Sequence, residues 1–175
     1  MMKYRLILVL LASTLLLSSC SLGGSRNMIF DDSHKISDAR LEQILDAISN
    51  KDKDTLKAMF SKQALSETNE FDGNLETLLN YVQGDIKSWE STGAYTFPEE
   101  INADGTGNHK KEAEATYTFT TTEQGYHVAV YEYIIDTANP DNVGVYSFCI
   151  ISDKDYEDSE FVYWGNAEAG INIGQ

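Results

Sequence analysis

The chain has 175 residues, 42% of them hydrophobic and 23% charged, a composition that fits one ordinary globular domain with a core of its own. Asp and Glu number 28 against 13 Lys and Arg, a formal charge of −15 at pH 7, and a field of that sign repels nucleic-acid phosphates and anionic lipid headgroups. Nucleic acid is thereby excluded as a partner, whereas a basic protein partner would be steered toward the surface; a purely solubilising role accounts for the same charge.

The N-terminus carries Lys3 and Arg5 and is followed by the uncharged run LILVLLASTLLL, residues 6–17. That run falls short of the roughly 20 apolar residues needed to cross hydrocarbon. A basic start, a short apolar segment and small residues after it read as a secretory signal over residues 1–19. Leu17, Ser18, Ser19 and Cys20 resemble a bacterial lipobox. The resemblance implies cleavage between Ser19 and Cys20 and a lipid on the Cys20 thiol; secretion with an incidental cysteine is the alternative. Each buried CH₂ of an acyl chain contributes about 0.8 kcal/mol, and the several chains implied by the resemblance would hold the protein stably. The expectation is a domain on the outer face of the cytoplasmic membrane, tied to it through Cys20. The stretch SLGGS, residues 21–25, reads as a tether, and residues 26–36 as more linker with a charged patch. This divides the chain into a signal peptide (1–19), a lipidated linker (20–36) and a domain (37–175).

Ser37 is placed to cap a helix over residues 37–52, with Leu41, Ile44, Leu45 and Ile48 on one face at spacings of three and four. Asp52 is placed to cap a second, KDTLKAMFS, with Leu56, Met59 and Phe60 turned inward. The third helical pattern, over residues 71–89, has the stripe Leu75, Leu78, Leu79 and Val82, and Gly84 marks its end or a bend.

The period then changes. SWESTGAYTF reads as a first strand and NADGTGNHKK as a polar loop. In EAEATYTFTTT, residues 112–122, Ala113, Ala115, Tyr117 and Phe119 alternate with Glu112, Glu114, Thr116, Thr118 and Thr120, the pattern of a half-buried strand. The turn TEQG joins it to YHVAVYEYIID as a hairpin. After NPDN comes VGVYSFCIIS, apolar on both faces and so expected inside the sheet. DKDYEDSE reads as an acidic turn and FVYWG as a last strand. Helices first and antiparallel strands after them give an α+β class, with the helices covering one side of the sheet.

His127 is the best candidate for catalysis: it opens the central strand and shares a face with Tyr131 and Tyr133, while Glu132 points the other way. A general base needs a partner within hydrogen-bond reach, and spacing offers none. Tyr117, His127, Tyr131 and Tyr133 are the candidate pocket residues. His34 falls in the linker and His109 in the polar loop, both expected in solvent. Around Gly107, Asn102, Asp104 and Thr106 take early positions of a calcium loop, but the bidentate Glu position falls on Ala113, and in the register through Gly105 on Lys111. No metal site is expected, and no cofactor: there is no CxxC, GxSxG, phosphate loop or HExxH. Cys149, in VYSFCII, reads as a small buried hydrophobe without a disulfide partner.

The element order resembles the nuclear transport factor 2-like fold, in which helices pack into a curved antiparallel sheet to make a cone with a pocket. ILDAISNKDKDTLKAMFSKQAL is similar to the opening of many such domains. FDGNLETLLNYVQGDIKSWES and the closing GINIG resemble an uncharacterised family of Gram-positive surface lipoproteins. The resemblance implies fold and location and brings no catalytic residues with it. The functional expectation is a non-enzymatic binding protein, for a small ligand or a protein partner, including an immunity or inhibitor role. The alternative is an isomerase- or dehydratase-like enzyme working in the cone with His127 as base.

Overall fold

The computed structural model describes residues 25–101, 105–156 and 168–174, with side chains described from residue 33 onward and that of Ala94 left out. The chain divides into a unit of residues 1–33 and a unit of residues 34–175. The second unit is α+β, with helices at its N-terminal side and an open mixed sheet after them.

Helix α1 runs Ser25–Ser49, so residues 26–36, read above as linker, are helical. Their sequence is charged and has no apolar stripe, which is why the helix is invisible there by periodicity. Further along, Leu41, Ile44, Leu45 and Ile48 are buried as the stripe requires. Helix α2, Lys53–Ala58, is capped as expected: Asp52 Oδ1 accepts from the Thr55 backbone N–H at 3.0 Å. Helix α3, Lys62–Glu67, was not anticipated; Ser61 caps it by accepting from the Ala64 N–H at 3.0 Å. Helix α4 is Phe71–Tyr81, with Phe71, Leu75, Leu78 and Leu79 buried. Gly84 follows at φ +80, the left-handed region that glycine enters at no steric cost.

The strands are β1 (Ile86–Thr96), β2 (Glu99–Ile101), β3 (His109–Thr121), β4 (Gly125–Asp136), β5 (Gly144–Ser152) and β6 (Gly170–Ile173). They lie in the order β1-β3-β4-β5-β6, with β2 also on β3. The β3–β4 hairpin is formed as read, and β5 is flanked on both sides. The antiparallel expectation needs one correction: β6, the GINI segment, pairs parallel with β5, which makes the sheet mixed. A parallel neighbour demands a crossover connection, and the chain between Ser152 and Gly170 supplies it. That connection opens with helix α5, Asp153–Tyr156, where a turn was expected; the expected strand FVYWG lies outside the described residues. Register shifts at Ser91/Tyr95, Lys111/Glu112 and Tyr131/Glu132 add local twist and bend the strands.

One apolar cluster joins helices to sheet. Leu41, Ile44, Leu56, Leu75 and Leu78 meet Tyr117, Phe119, Tyr126, Val128, Phe148 and Ile150. Phe119 and Tyr126, cross-strand partners, stack at 4.8 Å. Burying a side chain of this size contributes about 1.5–3 kcal/mol. A parallel bridge between Phe60 and Val145 fastens the helices to β5: Ser61 N–H donates to Val145 O and Val145 N–H to Met59 O, both at 2.9 Å.

Candidate functional site

Pairing fixes which side chains share a face. Ala113↔Glu132, Tyr117↔Val128 and Phe119↔Tyr126 look toward the helices, and Glu112↔Tyr133, Glu114↔Tyr131 and Thr118↔His127 look away. The four candidate pocket residues are therefore not brought together. Tyr117 is an inner, fully buried side chain, whereas His127, Tyr131 and Tyr133 stand on the outer face.

The inner face carries a polar cluster beneath α1. Asp38 Oδ1 accepts from the hydroxyls of Tyr95 (2.7 Å) and Tyr117 (3.2 Å). Burial first, then the neighbouring Tyr95 and Asp38, pushes the Tyr117 hydroxyl pKa up. Glu132, 2% exposed, accepts from Arg40 Nε at 2.9 Å through Oε2. Its Oε1 and the buried Ser37 Oγ make no hydrogen bond. Burial raises the Glu132 pKa and the Arg40 guanidinium opposes the rise. Glu132 thus holds a proton more tightly than an exposed glutamate does. His34, expected in solvent, stacks on Tyr95 at 4.2 Å.

On the outer face His127 does have a partner. Its Nε2 lies 3.2 Å from Asp153 Oδ1, and its ring stacks on Tyr156 at 3.7 Å. Glu90, Thr118, His127, Asp153 and Tyr156 line a cleft of about 440 Å³. Gly125 makes room for this approach, since a Cβ there would lie 2.2 Å from Asp153 Oδ2. A base on this face does not reach the space between helices and sheet, where the enzyme reading put it. His109, expected in a loop, begins β3 and sets Nε2 2.7 Å from Glu99 Oε1. Cys149 is partly buried, 3.6 Å from Ser147 Oγ, and burial raises its thiol pKa.

Further along the outer face, Tyr146 packs edge to face with Tyr131 and Tyr133, which lie tilted against each other, the centroids 5.3–6.1 Å apart. Lys110 Nζ sits 5.0 Å from the centre of the Tyr133 ring and pairs with Glu112. Tyr146 donates to Glu67 Oε2 at 2.8 Å.

A family profile matches residues 43–153, most of the helices and five of the six strands among the described residues. The chain belongs to the family called domain of unknown function DUF5104. No curated protein matches it. The DUF5104 match takes in the outer tyrosines, Glu112, Glu114, Glu132 and the His127–Asp153 pair, while Asp38 and Arg40 precede it.

Two features of this DUF5104 domain escaped the sequence. Alternation with Tyr126, Val128 and Val130 already placed Glu132 on the apolar row, the signal of a buried acid in want of a partner. Asp153 gave no signal, because its proximity to His127 depends on the β4–β5 register, in which His127 lies opposite Ile151.

Proposed function

We propose that the chain is a lipid-anchored, extracytoplasmic binding domain, held on the outer face of the cytoplasmic membrane through Cys20 and built on a nuclear transport factor 2-like cone. The signature Leu17-Ser18-Ser19-Cys20, set directly behind the uncharged run of residues 6–17, carries this reading. The helices-then-hairpins order and the bent, open sheet support the cone. Binding is favoured over turnover by where the groups stand: the space between helices and sheet is filled by Leu41, Ile44, Tyr117, Phe119 and Tyr126, and the buried carboxylate of Glu132 is engaged by Arg40.

The experiment is metabolic labelling of producing cells with an alkyne fatty acid. The wild-type chain is expected to take up label and to sediment with membranes. Cys20→Ala is expected to lose the label. Equal labelling of both, or an unlabelled wild type, would end the anchored reading.

A further inference from the structure

The outer face of the sheet holds the same cross-strand pair twice. Glu112 lies opposite Tyr133, and two residues along Glu114 lies opposite Tyr131. Successive same-face positions on β3 and β4 thus present two carboxylates beside two phenol rings. The first pair already contains a cation, the chain's own Lys110, whose ammonium lies over the Tyr133 ring and against Glu112. An ammonium so placed gains both from the ring quadrupole and from the carboxylate. Among the described residues Glu114 has no basic partner. Its carboxyl pKa is raised, first by burial and then by the like charge of Glu112.

We propose that the Glu114–Tyr131 pair is a docking subsite for a lysine or arginine side chain of a basic partner protein, the twin of the pair that Lys110 occupies. This deepens the binding reading above and rests on it. The occupant is a protein cation because the face has the chemistry to accept one and the net charge of −15 steers basic partners toward it.

The test is titration of the full-length chain in detergent with an end-blocked tetralysine peptide at low ionic strength, followed by calorimetry. Glu114→Gln keeps the shape and removes the charge; Glu42→Gln removes the same charge from the exposed side of α1. The expected result is about fivefold weaker binding for Glu114→Gln and a near-unchanged constant for Glu42→Gln. Lys110→Gln, which vacates the twin pair, is expected to bind the peptide more tightly than wild type. Equal weakening in the two Glu→Gln chains would reduce the effect to net charge and overturn the subsite, as would a wild type that ignores the peptide. Neither outcome touches the fatty-acid labelling of Cys20, so failure here and failure of the anchored reading are separate results.

Discussion

Glu132 is a buried acid whose chemistry departs from that of a solvent-exposed glutamate. It sits among apolar neighbours on the inner face with one oxygen on Arg40 and the other unbonded. Because its folded pKa is raised above the unfolded value, folding favours the protonated acid. The stability linked to it is complete below the ordinary glutamate pKa of about 4.3 and is lost as pH rises through the folded pKa. Urea unfolding of wild type and Glu132→Gln across pH 4–8 is expected to show wild type losing ground to the variant as pH rises; a difference flat across the range would contradict the assignment. Arg40→Met is expected to cost about 1–3 kcal/mol at neutral pH, since it strands a buried carboxylate, and less in acid. The value stays below that of a fully buried pair because Arg40 is one-quarter exposed.

At the scale of elements, the attachment of helices to sheet depends on Gly144. It has φ +126, and a Cβ there would lie 3.0 Å from both Met59 O and Ser61 N, the backbone that bridges to Val145. Gly144→Ala is expected to lower stability by about 1–3 kcal/mol, read by chemical denaturation, with an unchanged secondary-structure spectrum. A neutral result would mean that the bridge is dispensable. How much of this architecture the sequence discloses follows from element length and period. The stripe Leu41-Ile44-Leu45-Ile48 and the alternation Ala113-Ala115-Tyr117-Phe119 extend far enough to declare a helix and a strand. Helix α3 has six residues, β6 four and β2 three, too few turns or alternations to carry a period. The wholly exposed Glu99-Glu100-Ile101 has no apolar face to show at all. The site follows the same logic: alternation put His127 with Tyr131 and Tyr133, but which face met the helices, and that Asp153 would reach His127, depends on long-range register.

For the whole molecule, the proposed attachment and the charge would act together. An acidic domain is repelled by an anionic membrane surface, so on the proposed reading it would stand off the bilayer to which a lipid on Cys20 binds it. On the proposed reading, that posture would leave the outer tyrosine–glutamate face open to the basic partner proposed above. The account depends first on the state of Cys20, and the most direct measurement is the intact mass of the protein extracted from membranes. A chain beginning at Cys20 and heavier than its peptide by the mass of acyl groups is the predicted result. A chain that retains Met1, or that begins at Cys20 without added mass, would contradict the account.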